Sequence, residues 1–260
     1  MTTLNCRSMY VYQLAKVIQS EGSISAMVDR ARKAGIKSVW LKVANGKLRH
    51  QNITGNNKAL FVALCSALHA AGISCWGWQV PRCVQEGDAQ IEAKLAVTIA
   101  AELQLDGILV DAESGISFFQ GDAAAAATYT RTLREALAAI GKSIALSSHD
   151  VPSYFPQFPF RSFANEVAFN VPQVYYGSNK SVKERLDRSR NDALNQSLTV
   201  PYIPVGAAWV GGQGGCKNAQ ECATRASQFI QLVQQYGITG YSFWCWDAAP
   251  PEFWAVLEKE

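Results

Sequence analysis

The chain has 260 residues, of which 48% are hydrophobic and 17% are charged, and its formal net charge is +3. These values are close to those of average soluble globular proteins, which excludes a disordered, collagen-like or coiled-coil chain. The basic residues are scattered along the sequence, so we expect no nucleic-acid partner, which would need a dense basic stripe. No apolar run reaches the roughly 18 to 20 residues of a membrane-spanning helix, and we expect no membrane partner.

The first ten residues, MTTLNCRSMY, lack the basic-then-apolar order of a signal peptide. We therefore expect a chain that is cytoplasmic, processed from a longer precursor, or released by cell lysis. No long apolar stripe marks a subunit interface, so we also expect a monomer.

Seven cysteines are an odd number, so at least one of them is unpaired. Cys65, Cys75 and Cys245 lie in apolar stretches and are interpreted as small core residues. Cys216 and Cys222 flank a loop, where a disulfide is left open. No CxxC pair is present and the three histidines are too scattered for a zinc motif, so the sequence predicts neither a metal site nor another cofactor.

Short β-rich runs alternate with helical patterns along the whole chain. The predicted strands are 9–14, 38–44, 74–80, 107–113, 143–149, 170–176, 202–209 and 240–246. Apolar residues at i, i+3, i+4 spacing predict helices at 24–34, 60–71, 91–103, 123–140 and 219–236. Three helix ends (KAGIKSVW, HAAGISCW and QYGITGYS) share a glycine stop before the next strand.

Eight strands with intervening helices predict a single (β/α)8 TIM barrel, an α/β fold, over residues 1–260. The alternative, a doubly wound sheet, usually has fewer strands and a glycine-rich phosphate turn after the first strand. That turn is absent from this sequence.

The fourth strand carries the most informative acidic residues. In a TIM barrel the functional residues lie at the C-terminal ends of the strands, which selects Asp111, Glu113, Asp150 and Asp247, whereas Asp106 precedes its strand. Alternation directs Asp111 and Glu113 into the barrel, about 6 to 7 Å apart. At that distance one carboxyl pKa should rise, and the protonated group can act as an acid on a glycosidic oxygen. The alternatives are a solvated pair or a structural ion pair with Lys42.

Aromatic and amide side chains gather at the predicted strand ends, as in sites that stack on the apolar faces of sugar rings. These residues are Trp76, Trp78, Gln79, Gln173, Tyr175, Trp209, Trp244 and Trp246. For any single tryptophan, core packing is the alternative interpretation. Their joint placement favours a glycan partner over an anionic metabolite.

Other polar features lie at the same predicted end. Lys42 can point inward, either as a Schiff-base lysine or, more commonly, as the partner of a carboxylate. His149 and Asp150 end the fifth strand and can contact substrate or influence the acid pair, although loop hydrogen bonding explains them equally well. The GGQGG segment at 211–215 is interpreted as a flexible rim loop.

The segment DGILVDAE, residues 106–113, resembles the DGxDxDxE strand of the family 18 glycoside hydrolases, the chitinase-like barrels. The resemblance implies that Glu113 is the acid and that Asp111 holds the substrate's N-acetyl group, which is itself the nucleophile. QVYYG at 173–177 and YSFWCWD at 241–247 are similar to the tyrosine-bearing sixth strand and tryptophan-bearing eighth strand of that family. They imply that Tyr175 hydrogen-bonds the intermediate and that Trp244 lies under the sugar ring.

The sequence also departs from the family pattern. Leu109 replaces the first acid of the DxDxE series, and Tyr175 is followed by Tyr176 where the family has an acid. A weaker similarity links the D-x-E to the family 25 lysozymes, but Tyr12 and Gln13 stand where those enzymes carry an aspartate.

Two functions of different classes follow. The first is a glycosidase that cleaves a β-linked N-acetylhexosamine polymer, peptidoglycan or chitin-like, with retention. Its predicted catalytic residues are Glu113, Asp111 and Tyr175. The predicted substrate-binding residues are Lys42, Trp78, Gln79, His149, Asp150, Gln173, Tyr176, Trp209, Trp244, Trp246 and Asp247. The second is a barrel that binds glycan without cleaving it, which the leucine at position 109 favours.

Overall fold

The computed structural model describes residues 3–178 and 181–259 as a closed barrel of eight parallel strands. The strands are β1 Arg7–Val11, β2 Ser38–Asn45, β3 Ser74–Val80, β4 Gly107–Asp111, β5 Ser143–His149, β6 Phe169–Gln173, β7 Val205–Ala207 and β8 Tyr241–Trp244. The barrel closes because β1 pairs with both β2 and β8. The prediction of a (β/α)8 TIM barrel is therefore confirmed. A two-residue strand, Leu48–Arg49, pairs antiparallel with the end of β2.

Helices cover the outside of the barrel. They are α1 Leu14–Glu21, α2 Ile24–Lys33, α3 Asn57–Ala70, α4 Asp88–Glu102, α5 Ala123–Ala139, α6 Phe160–Ala164, α7 Val182–Arg190, α8 Ala193–Gln196, α9 Ala219–Gln235 and α10 Pro251–Leu257. The predicted stops Gly72 and Gly237 have φ values of 70° and 64°, a conformation that suits glycine. No helix in the described part of the chain is long and apolar enough to cross a membrane.

The sequence pattern predicts several strands that are too long at their C-terminal ends. Strand β1 ends at Val11 rather than at residue 14, because Leu14 begins α1 and is buried with Val17 on the inner face of that helix. Tyr176 and Trp209 likewise lie beyond the ends of β6 and β7. Apolar periodicity does not predict the polar helix α7, because only Val182, Leu186 and Ser189 of its nine residues are buried.

The core has two layers, which follow from strand alternation. Inside the barrel, Tyr10, Trp40, Trp76 and Trp78 form one cluster with smaller apolar residues. A larger cluster fills the space between the barrel and the helices. On β4, Leu109 belongs to the inner cluster while its neighbours Ile108 and Val110 belong to the outer one.

The pairing of the cysteines differs in part from the interpretation made from the sequence. Cys65 of α3 and Cys75 of β3 form a disulfide, with their Cα atoms 5.7 Å apart. The interpretation of these two as separate core residues is therefore wrong, because the pairing depends on how α3 packs on β3. Cys216, Cys222 and Cys245 are buried free thiols.

Asp106 opens the DGILVDAE segment but lies at the N-terminal end of β4, opposite to the end that carries Asp111. Its Oδ2 accepts hydrogen bonds from the backbone N–H of Cys75 at 2.8 Å and from Nε2 of His69 at 2.8 Å. These contacts tie α3, β3 and the start of β4 together. Asp106 is therefore a structural residue of the barrel base.

We expect Asp106→Ala to lower the free energy of unfolding by about 1–3 kcal/mol, because it removes charge-assisted hydrogen bonds. Urea unfolding followed by circular dichroism measures this loss. Glycan binding by the folded variant should stay at the wild-type level. Weaker binding with unchanged stability would contradict a structural role for Asp106.

Candidate active site

A cavity of about 370 Å³ opens at the C-terminal end of the barrel. Its walls come from strand ends and from the loops that follow them, which is where TIM barrels carry functional sites. The lining residues are Tyr12, Lys42, Trp78, Val80, Asp111, Glu113, Phe118, Gln173, Tyr175, Trp209, Gln213 and Trp244. The cavity therefore combines aromatic surface with two carboxyl groups, two amides and one lysine.

The two carboxyl groups share one amide donor. Nε2 of Gln173 lies 2.9 Å from Oδ1 of Asp111 and 2.9 Å from Oε1 of Glu113, and 3.3 Å from the hydroxyl of Ser147. Neighbouring strands bring these residues together, since Asp111 ends β4, Ser147 lies on β5 and Gln173 ends β6. A single side chain from β6 thus bridges the two carboxyl groups.

Burial makes both carboxyl groups hold protons more tightly than they would in water. Burial, followed by the charge of Glu113, raises the pKa of Asp111 well above its usual range, while Lys42, Ser147 and Gln173 oppose the rise. Burial also raises the pKa of Glu113, and Gln173 opposes it. The pair therefore retains a proton at a pH where isolated carboxyl groups have lost theirs.

Aromatic rings form the wall beside the acid pair. The rings of Trp78 and Trp244 lie 5.4 Å apart at a steep angle, and Tyr12 stacks on Trp78 at 6.2 Å. On the other side, Tyr175 meets Trp209 edge to face at 5.0 Å. Burial raises the pKa of Tyr175 well above its usual range, so its hydroxyl stays a neutral donor.

Lys42 lies among these rings. Its Nζ is 4.4 Å from the ring centre of Trp78 and 5.1 Å from that of Tyr12, within the range of cation–π attraction. The residue is only 8% exposed. Burial lowers the pKa of Lys42, and the charge of Asp111 opposes that shift.

Gln79 and Tyr176 lie outside the cavity. Gln79 follows the inward-facing Trp78 on β3 and points to the opposite side of that strand, and Tyr176 lies in the loop after β6. Nε2 of Gln79 donates to the backbone oxygen of Gly46 at 2.9 Å, and its Oε1 accepts from the hydroxyl of Tyr129. The hydroxyl of Tyr176 donates to the backbone oxygen of Ala207 at 3.0 Å. Both side chains are fully buried between the barrel and its helices, a placement that leaves a substrate no access to them.

Trp246 and Asp247 also lie away from the cavity, in a short 3-10 helix after β8. Nε1 of Trp246 donates to Oε1 of Glu21 at 2.9 Å, and its ring packs on Trp254. The carboxylate of Asp247 accepts from the backbone N–H of Tyr12 at 2.8 Å and from that of Gln13. Asp247 thereby holds the loop that presents Tyr12 to the cavity.

His149 ends β5 and Asp150 follows it, and neither residue lines the cavity. The His149 ring stacks on Phe155 at 3.7 Å, and its Nε2 accepts from the backbone N–H of Ser114 at 2.9 Å. Burial lowers the pKa of His149 to about 4, so the ring is neutral. Asp150 pairs with Arg188, whose Nε lies 2.8 Å away, and ties β5 to α7.

Sequence reasoning missed the cavity residues Tyr12, Val80 and Phe118, and it included Gln213 only as part of the 211–215 rim loop. Tyr12 follows Tyr10 by two positions at the end of β1, a spacing that could have found it. Phe118 and Gln213 lie on loops, where no periodicity indicates direction. In the described residues, no group of three or more histidine, cysteine, aspartate or glutamate side chains is suited to a metal ion.

Solved structures of chitinases and related glycoside hydrolases share the fold of this chain. No protein-family model and no curated protein matches the chain, but many solved TIM-barrel structures do. A chitinase from Chromobacterium violaceum ATCC 12472 matches with a TM-score of 0.64 and 15% identity over 98% of each chain. A glycoside hydrolase family 18 N-acetylglucosaminidase from Paenibacillus barengoltzii matches with a TM-score of 0.68 and 12% identity over 98% of this chain and 99% of its own.

A third solved structure is the spore cortex-lytic enzyme SleL from Bacillus megaterium QM B1551. It matches with a TM-score of 0.62 and 10% identity over 97% of this chain and 73% of its own. At such low identity these similarities establish the fold alone. The resemblance to the family 18 barrels that the sequence indicates is thus confirmed as a shared fold.

The raised pKa values of the acid pair predict a pH-dependent stability. Unfolded carboxyl groups titrate near pH 4, whereas the folded pair keeps its protons to higher pH, so the folded state is progressively destabilised as pH rises above about 4. The double variant Asp111→Asn/Glu113→Gln removes both groups. The free energy of unfolding of the double variant, relative to that of the wild type, should therefore increase from pH 4.5 to pH 7.5. Urea titrations at each pH measure this difference.

Glu102→Gln is a control of opposite sign. Hydrogen bonds from Lys58 and Arg49 lower the pKa of Glu102, so its contribution to stability is present at neutral pH and lost as pH falls. This variant should lose stability relative to the wild type as pH rises. If the difference in free energy of unfolding between the double variant and the wild type does not change with pH, the raised pKa values of Asp111 and Glu113 are contradicted.

Proposed function

We propose that the protein is a glycoside hydrolase that cleaves a β-linked N-acetylhexosamine polymer with retention of configuration. The observation that carries this proposal is the acid pair, bridged by Gln173 inside an aromatic cavity at the C-terminal end of the barrel. The shared fold with chitinases and with a spore cortex-lytic enzyme supports a glycan as the substrate.

Glu113 is the general acid and base. It lines the cavity, and its buried position favours the protonated form that donates to the glycosidic oxygen. Burial and the charge of Glu113 raise the pKa of Asp111 further than burial raises that of Glu113, so in the free site Asp111 is the better holder of a shared proton. A substrate acetamide N–H that donates to Asp111 favours its ionised form and moves that proton to Glu113. Asp111 then orients the substrate's acetamide group as an anion.

Tyr175 and Trp244 complete the proposed mechanism. Protonation by Glu113 breaks the glycosidic bond while the acetamide oxygen attacks the anomeric carbon, and water activated by the same residue opens the oxazolinium ring. The neutral hydroxyl of Tyr175 donates to the acetamide oxygen, and Trp244 packs under the sugar ring. Two displacements at one carbon retain its configuration.

The test is reducing-sugar release from purified peptidoglycan and from chitin oligomers. Glu113→Gln should lower release by about 100-fold or more, because it removes the proton that the leaving oxygen needs. Glu135→Gln, which removes an exposed carboxylate on α5, is the matched control and should keep wild-type activity. Proton NMR of freshly formed products should show the β-anomer first.

Leu109 supports a second candidate, a barrel that binds glycan without cleaving it. Its side chain is fully buried among the apolar residues inside the barrel, at the position of a carboxylate in the family 18 pattern. Absence of sugar release from both polymers, with wild type and Glu113→Gln folded and still pelleting with glycan, would favour this binding function over hydrolysis.

A further inference from the structure

Lys42 is a buried cation that forms no ion pair with a described carboxylate. In residues 3–178 and 181–259, no carboxylate oxygen lies within ion-pair distance of its ammonium group. The side chain is 8% exposed, and the part that remains open faces the cavity. An ammonium group has three N–H donors and no acceptor, so its hydrogen-bonding capacity is left for a ligand.

The neighbours of Lys42 do not neutralise its charge. Trp78 and Tyr12 offer ring faces at 4.4 and 5.1 Å, which compensate only part of the lost hydration. His50 lies close enough for the charge of Lys42 to act on it, and burial followed by that charge lowers the pKa of His50 to about 4, which leaves the ring neutral. Asp111 attracts Lys42 from beyond ion-pair distance.

A ligand anion is the group that this environment binds best. A charge-assisted hydrogen bond in a buried site is stronger than one to a neutral hydroxyl. Among the described residues that line the cavity, Lys42 is the one cation, so a negative substituent on the substrate is attracted to this wall. Chitin carries no such substituent, whereas muramic acid and hexuronic acid units do.

We propose that Lys42 binds a sugar carboxylate and that the cavity therefore prefers an acidic glycan over chitin. This proposal rests on the proposed function only in that the cavity is a glycan site. The carboxylate has two sources, the lactyl group of an N-acetylmuramic acid unit without its stem peptide, or the C6 group of a hexuronic acid. Both present the same chemistry to the ammonium group of Lys42.

The test is calorimetric binding by the full chain in a Glu113→Gln background, which prevents cleavage during the measurement. The probes are an N-acetylglucosamine–N-acetylmuramic acid tetrasaccharide without stem peptides, a hyaluronan tetrasaccharide, the carboxyl-reduced form of each, and chitotetraose. At least one acidic probe should bind about 10- to 100-fold more tightly than its reduced form. Which acidic probe does so identifies the source of the carboxylate.

Lys42→Gln should bring that affinity ratio close to one, and Lys42→Arg should restore most of it by returning the positive charge. Lys16→Gln removes an exposed lysine on α1 and is the control for net charge, with the wild-type ratio expected. In the protein that keeps Lys42, the ratio of affinities for the acidic and the reduced probe should also decrease as the salt concentration increases, because salt screens an ionic contact. This last measurement needs no variant at position 42.

Two results would overturn the proposal. Equal affinity for acidic and reduced probes would show that Lys42 does not recognise a carboxylate, and the hydrolase proposal would survive on its own assay. Equal weakening of acidic and reduced probes by Lys42→Gln would assign Lys42 a general role in the cavity. Absence of binding by any probe, with no sugar release from wild type, would overturn both proposals together.

Discussion

Strand β1 pairs in parallel with β2 along one edge and with β8 along the other, and this closure determines where every functional side chain lies. A closed barrel has one C-terminal end, so the last residues of strands distant in sequence meet around a single cavity. Asp111 and Gln173, the last residues of β4 and β6, come together for that reason. The inner core of large aromatic residues supports the floor of this cavity.

The site concentrates charge where the fold would otherwise bury apolar groups. Two carboxyl groups and a lysine lie at least half buried, and the amide of Gln173 is a hydrogen-bond donor common to the two carboxyl groups. Such groups cost stability unless they are paired. Sites of this kind commonly trade stability for chemistry, so the cavity is where substitutions to neutral residues should stabilise the fold.

The departure from the family 18 pattern at Leu109 changes the balance of charge in the barrel. One carboxylate fewer lies beneath Asp111, and Lys42 lines the same cavity without an ion pair among the described residues. The cavity is therefore less acidic than the sequence motif of that family implies. A less acidic cavity with a free cation is compatible with an acidic glycan, which a cluster of three carboxylates would repel.

The sequence by itself determined the barrel, two strands at their observed bounds (Ser74–Val80 and Ser143–His149), the helix stops at glycine and the inward direction of Asp111 and Glu113. These features depend on the local spacing of apolar and polar residues, which the sequence shows directly. Only the tertiary structure decided that Gln79 and Trp246 lie outside the cavity, that Phe118 and Gln213 line it, and that Cys65 meets Cys75. Those outcomes depend on where each strand ends and how each loop packs, and contacts between residues far apart in sequence set both.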